Sequence, residues 1–258
     1  FCYKIPVRPL QTRNANQWRY GHMVPLKVGL ANSNNWISAY LMSKLNPQQF
    51  VQLLRDYGIN NPDIHASMSL CLGPCEVSVS EMVSAYTAFA NHGIRTSPLF
   101  VSRIEDNEGN TIATFQPRMN EVISADNAMK MLTMLMGVVD QGTAGRLRYR
   151  YNMEGQIGAK TGTTNNNSDG WFIGFTPQLV TGCWVGGEDR DIHFDSMSMG
   201  QGATMALPIW AIFMKKVYAD PTLGFSPMEK FDIPADYNPC ASQTEDEFGE
   251  EGIDEVFE

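Results

Sequence analysis

Between Gln156 and Val185 the chain carries three short strand-like runs, 156–163, 171–176 and 179–185, separated by two turn signals. The first signal is Asn165-Asn166-Asn167-Ser168-Asp169-Gly170 and the second is Thr176-Pro177. Links this short favour antiparallel pairing of consecutive strands over a crossover. A three-stranded meander is not stable bare; it needs a packed partner, and helices are the usual one.

The flanking sequence supplies them. Leu26 and Leu30, then Trp36, Ile37, Tyr40, Leu41 and Leu45, fall at helical spacing on either side of Asn32-Ser33-Asn34-Asn35, a polar cluster suited to a turn or helix cap. Pro47 to Tyr57 reads as a short amphipathic helix closed by Gly58. Glu76 to Asn91 reads as another, with Ser78 or Ser80 as its N-cap and Gly93 as its stop. Phe100 to Glu105 and Thr111 to Phe115 alternate around Asp-Asn-Glu-Gly-Asn, which is hairpin chemistry. Ala125 to Asp140 predicts a helix ending at Gly142, and its stripe of Met129, Met131, Met134 and Met136 is read as core packing. Ala203 to Tyr218 predicts a closing apolar helix, with Pro208 expected in its first turn. Residues 1–25 show no periodicity. The expected class is α+β, an antiparallel sheet flanked by helices.

Charge narrows the function classes. The 258 residues carry 19 Lys+Arg against 28 Asp+Glu, but eight of the acids lie in the last 18 residues, which hold no base. The body, left with 20 acids against 19 bases, is nearly neutral. Phosphate binding needs clustered cations, so no nucleic-acid partner is expected. Residues 1–240 are read as the folded unit and 241–258 as a disordered acidic tail; docking to a basic partner is the alternative for the tail. No apolar run reaches the roughly 18 residues of a membrane span. The chain opens at Phe1 with no signal-like segment, and the expectation is that processing or truncation removed the natural start.

Five cysteines (Cys2, Cys71, Cys75, Cys183, Cys240) cannot all pair within the chain. Cys71 and Cys75 are either a short-loop disulfide or two unrelated thiols. The histidines His22, His65, His92 and His193 are scattered, with no metal-ligand spacing, and are read as loop or surface residues. Neither a metal nor a cofactor is expected.

Two segments do not suit pure packing. Lys160-Thr161-Gly162-Thr163 interrupts the first strand of the meander with a cation, two hydroxyls and a glycine. A glycine inside a strand marks a close approach by ligand or backbone. With the neighbouring N–H groups, that set suits an extended substrate ending in a carboxylate and lying along the strand edge. The plainer reading is an edge strand guarded by a lysine. A K-[ST]-G-T string arises by chance in about one chain per hundred of this length. Ser33-x-Asn35 is weak alone, since such clusters most often cap helices. It gains weight because S-x-x-K, S-x-N and K-T-G together form the signature of active-site serine acyl transferases.

Longer segments carry the resemblance further. They are Leu26-Lys-Val-Gly-Leu-Ala-Asn-Ser33-Asn-Asn35, Glu76 to Tyr86, Phe89-Ala-Asn-His-Gly93 and Val138-Val-Asp-Gln-Gly-Thr-Ala144. Lys160 to Thr164, Asp169 to Pro177 and Trp184-Val-Gly-Gly187 complete the set. Over most of residues 20–220 the chain resembles the transpeptidase domain of class A, bifunctional penicillin-binding proteins, which cross-link peptidoglycan. The resemblance implies a serine β-lactamase/penicillin-binding transpeptidase-like fold and a serine acyl-enzyme mechanism on D-alanyl-D-alanine ends. By position, Ser33 would relay a proton, Asn35 would hold the substrate amide, and Lys160 would set the positive field. Thr161 and Thr163 would bind the substrate carboxylate, Gly162 would leave room for its backbone, and the Thr163 N–H would serve the oxyanion hole. The implied partners are peptidoglycan stem peptides and lipid-linked precursors, with β-lactams as covalent inhibitors. The implied location is the bacterial periplasm, membrane-anchored through an N-terminal segment missing from this sequence.

One departure stands out. No serine in the sequence is followed three residues later by lysine, so the first motif, which holds the nucleophile, is missing. Ser33 occupies the second motif and cannot stand in. The expectation is a partial domain that lacks its first strands and nucleophile helix, is not acylated by penicillin alone, and exposes a sheet edge and helix faces. A non-catalytic homologue acting as a binding module and a β-lactamase-like hydrolase are the alternatives.

Overall fold

The computed structural model describes residues 4–6 and 22–239. The acidic tail, Cys2 and Cys240 lie outside the described residues, as does the boundary drawn at 240. In chain order the elements are β1 (Lys4–Pro6), β2 (Met23–Pro25), α1 (Leu26–Ala31), α2 (Asn35–Ser43), α3 (Pro47–Asp56), a 3-10 turn (Met68–Leu72), α4 (Val79–Ala90), β3 (Ile94–Thr96), β4 (Arg103–Glu105), β5 (Thr111–Thr114), β6 (Met119–Glu121), α5 (Ala125–Gln141), α6 (Arg146–Tyr149), β7 (Gly158–Thr163), β8 (Asp169–Phe175), β9 (Val180–Gly186), α7 (Met197–Gly200), α8 (Gly202–Ala219) and a 3-10 turn (Pro221–Leu223).

The meander forms as its turn signals require: β7, β8 and β9 pair antiparallel in that order. The register sets Lys160 opposite Ile173, Thr163 opposite Gly170 and Trp171 opposite Trp184. Alternation along β8 then sends side chains to two helical layers. Phe172 meets Trp210 of α8 edge-on at 5.4 Å, and the Trp210 indole N–H donates to Gly174 O at 3.3 Å. On the other face Phe175 packs with Tyr86 of α4 and with Leu132 and Leu135 of α5. Phe172, Phe175 and Trp210 are fully buried, each contributing about 2–3 kcal/mol of transfer free energy. The methionine stripe follows the core reading, with Met134 buried and with Met131 and Met136 packed against the cluster of Leu132, Leu135 and Phe175.

Local chemistry sets the helix starts. Asn34 caps α2 by accepting from the N–H groups of Trp36 and Ile37, and Asn46 caps α3 through Gln48 and Gln49. Ser78 caps α4 in a full capping box with Glu81, which resolves the choice between Ser78 and Ser80. Gly58 and Gly93 stand past their helices at φ +82° and +91°, the left-handed turn glycine tolerates best.

Some expectations change. Pro208 is not in a first turn: α8 begins at Gly202, so the proline lies inside the helix and removes one backbone bond there. The N-terminal stretch is not featureless, because Ile5 and Val24 pair across β1 and β2 and bury against Trp36 and Ile37. A further pair, β3 with β6, closes the segment around the 103–114 hairpin. Cys71, Cys75 and Cys183 are free thiols, so the short-loop disulfide does not form. Among the described residues β9 has no strand on its outer edge, and Ile209, Ile212 and Phe213 of α8 are about half exposed. No described helix is long and apolar enough to cross a membrane.

Candidate active site

Three elements converge on the open edge of β7. The α1–α2 turn brings Ser33, the segment after α5 brings Thr143, and α8 brings Gly202. Ser33 has φ +50°, a left-handed backbone that costs a non-glycine residue roughly 1–2 kcal/mol. The turn holds it there: Ser33 N–H donates to Leu30 O, Asn34 N–H to Gly29 O, and the Asn34 cap fixes the following helix. Asn35, the first residue of α2, is half-buried two positions beyond Ser33.

Lys160 reaches this turn. Its ammonium donates to Ser33 Oγ and, at 2.9 Å, to Thr161 O. Burial pushes the Lys160 ammonium down to about 8, and its acceptors among the described residues are the neutral oxygens of Ser33 and Thr161. A cation desolvated with no described carboxylate beside it is held by its surroundings at a cost and attracts an anion.

The two threonines of the strand are each backed by another group. Thr161 Oγ1 lies 2.7 Å from Thr143 Oγ1, while Thr163 Oγ1 accepts from Gly202 N–H at 3.0 Å. Thr164 N–H donates to Asp169 O across the β7–β8 ladder, so strand alternation turns Thr163 N–H to the unpaired edge. Thr164 Oγ1 accepts from the N–H groups of Ser168 and Asp169, which pins the β7–β8 turn. Gly162 and Gly202 are glycines for lack of room. A Cβ on Gly162 would stand 3.0 Å from Trp171 Cβ, and one on Gly202 would land on Gly162 O and Trp171 O.

The arrangement thus joins a cation, the four hydroxyls of Ser33, Thr143, Thr161 and Thr163, and an outward N–H along one strand edge. The sequence singled out Ser33, Asn35, Lys160, Thr161, Gly162 and Thr163; the fold bonds Lys160 to Ser33 beside Thr161, Gly162 and Thr163 on β7, and places Asn35 two residues beyond Ser33 at the start of α2. Thr143 and Gly202 were not singled out as site residues. The signal for Thr143 was its place in Val138 to Ala144, and no local pattern marks Gly202.

Residues 2–182 match the sequence profile of the penicillin binding protein transpeptidase domain. Penicillin-binding protein 1A of Aquifex aeolicus is 33% identical over 222 residues, covering 86% of this chain and 29% of that protein. Penicillin-binding protein 1A of Neisseria meningitidis is 32% identical over 217 residues, covering 82% and 27%. The chain therefore spans less than a third of the length of these relatives. Among solved structures, penicillin-binding protein 1A from Haemophilus influenzae superposes with a TM-score of 0.77 at 24% identity, over 91% of this chain and 41% of that one. PonA1 of Mycobacterium tuberculosis in complex with penicillin V gives 0.72 at 24% identity, over 90% and 66%. The fold is that of penicillin-binding transpeptidase domains, which agrees with the α+β expectation.

Proposed function

This chain belongs to the penicillin-binding-protein transpeptidase domain family, and from that membership we propose that it forms the substrate side of a D-alanyl-D-alanine transpeptidase site in a bifunctional peptidoglycan synthase. In this reading a serine attacks the carbonyl between two terminal D-alanines. The C–N bond breaks, D-alanine leaves with a proton, and an amine of a neighbouring stem peptide then takes the acyl group and frees the serine. Lys160, Thr161 and Thr163 bind the terminal carboxylate. Ser33 carries the proton to the leaving amine and away from the attacking one, while Asn35 holds the substrate amide. Thr163 N–H is one donor to the oxyanion, and Gly162 lets the substrate backbone approach the strand.

The observation that supports this most directly is the Lys160–Ser33 hydrogen bond beside the two backed hydroxyls. A half-buried cation with no carboxylate partner among the described residues suits an anionic ligand end, and a hydroxyl on that cation suits proton transfer. No serine of this sequence lies three residues before a lysine, so the reading assigns the nucleophile and its base to polypeptide outside these 258 residues. Stem peptides on lipid-linked precursors are the proposed substrates, β-lactams the proposed covalent inhibitors, and the outer face of the bacterial inner membrane the proposed location.

The test is acylation by a labelled penicillin of the whole protein that carries this chain, with and without Lys160→Ala. Labelling that falls at least a hundredfold in the variant supports the reading. Undiminished labelling, or none in the wild type, overturns it. Release of hydrolysed β-lactam at many turnovers would instead indicate a β-lactamase.

A further inference from the structure

Thr143 stands outside both short motifs, yet it touches Thr161 of one and the end of the helix that leads into the other. Its N–H donates to Ala31 O at 3.0 Å, two residues before Ser33, and its hydroxyl lies 2.7 Å from Thr161 Oγ1. Gly142 packs so closely on Ala31 O that a Cβ there would overlap it. The segment after α5 is therefore clamped to the end of α1 by backbone, which leaves the Thr143 side chain aimed at β7.

The hydroxyl–hydroxyl contact has two senses, and an anionic ligand selects one. A carboxylate accepts only, so Thr161 must give it a proton. Thr161 Oγ1 must then accept from Thr143. Thr163 already shows the same logic, since Gly202 N–H donates into Thr163 Oγ1 and leaves its proton free to turn outward. Chains of this kind polarise one another, so the donor behind strengthens the bond in front.

We propose that Thr143 is a positioning residue for carboxylate recognition: its hydroxyl donates to Thr161 Oγ1 and commits the Thr161 proton to the substrate's terminal carboxylate. The proposal rests on the transpeptidase reading and adds to it a residue that acts through Thr161 without touching substrate. It also makes Thr143 and Gly202 counterparts, each supplying the donor behind one of the two carboxylate-binding hydroxyls.

The experiment uses the whole protein carrying this chain and two thiolester acyl donors, one ending in a free carboxylate and one in the matching carboxamide. Acylation rates are measured for wild type, Thr143→Val, Thr143→Ser, Thr161→Val and the Thr143→Val/Thr161→Val pair. Thr143→Val is expected to lower kcat/KM for the acid about tenfold, the order of one hydrogen bond to a charged group. It should leave the amide within about twofold, keep the melting temperature, and add nothing on the Thr161→Val background. Thr143→Ser should restore the acid rate. Equal losses for acid and amide, or an unchanged acid rate, overturn the role of Thr143 while the transpeptidase reading stands. Failure of the wild type to be acylated by either donor overturns both. Should Thr143→Val not fold, Thr143→Ser and Thr143→Ala decide the matter by the same acid-to-amide ratio.

Discussion

The Lys160 ammonium donates to the Ser33 hydroxyl across 127 residues of sequence, joining an edge strand to a helix–helix turn. The contact links the most strongly desolvated cation of the site to its most strained backbone position.

Lys160 titrates at about 8 in the folded chain because burial disfavours its charge. Acylation of the whole protein carrying this chain by a carboxylate-bearing ligand, followed as kcat/KM, should fall as pH rises through about 8, since the free protein loses the Lys160 cation there. Stability moves the other way. The folded state releases this proton near 8 and the unfolded state near 10.5, so between those values unfolding takes up a proton and rising pH stabilises. At neutral pH the buried cation opposes folding by up to about 3 kcal/mol. The stability of wild type relative to Lys160→Met should therefore rise between pH 8 and 10.5 in chemical-denaturation series; a flat difference would contradict the shift.

Ser33 offers a separation of strain from chemistry. Both Ser33→Ala and Ser33→Gly lose the hydroxyl that Lys160 meets, so the whole protein carrying either variant should lose acylation alike. Only glycine relieves φ +50°, so Ser33→Gly should be more stable than Ser33→Ala by about 1 kcal/mol. Denaturant melts of the two variants give that difference directly.

Gly202 begins α8 with no space for a side chain. In Gly202→Ala the new methyl meets backbone oxygens of Gly162 and Trp171, which cannot rotate away. A loss of about 1–3 kcal/mol is expected, the range of overpacked sites. The Gly202 N–H to Thr163 Oγ1 bond should weaken with it. Ala219→Gly at the far end of the same helix, read by melting temperature and penicillin labelling, is the comparison, and it should spare labelling.

The α4 capping box has a pH signature. Burial raises the Glu81 carboxyl, but hydrogen bonds from Ser78 and the Asn60 N–H outweigh it and hold the group below its usual 4.5. Its contribution is therefore present above that value and lost as pH falls through the lower folded value. Ser78→Ala should cost about 1 kcal/mol at neutral pH. In acid titrations the gap between wild type and Glu81→Gln should close as pH falls from 4.5 through the lower folded value.

Much of this arrangement was readable in residues alone. Long periodic segments such as 125–141 and 202–219, and strands bounded by turn residues, carry their own signals. The pairs β1–β2 and β3–β6 do not, because three residues are too few to show an alternation. Pro208 misled because helix starts are read from caps, and Gln201 offers α8 no side-chain cap. Lys160 and Thr161 announced themselves by type and order. Thr143 did not, since a threonine between glycine and alanine looks like any loop until the fold sets it beside another hydroxyl.

The hairpin of β4 and β5 pairs with no third strand among the described residues, and Phe100, Ile104 and Ile112 beside it remain open to solvent. A two-stranded unit without a packed face is marginal by itself. Its amides should therefore exchange with solvent through small local openings while the β7–β9 ladder exchanges only with global unfolding. The domain is in that sense thermodynamically graded, with a loosely held arm on a body whose most protected amides lie beside the proposed site.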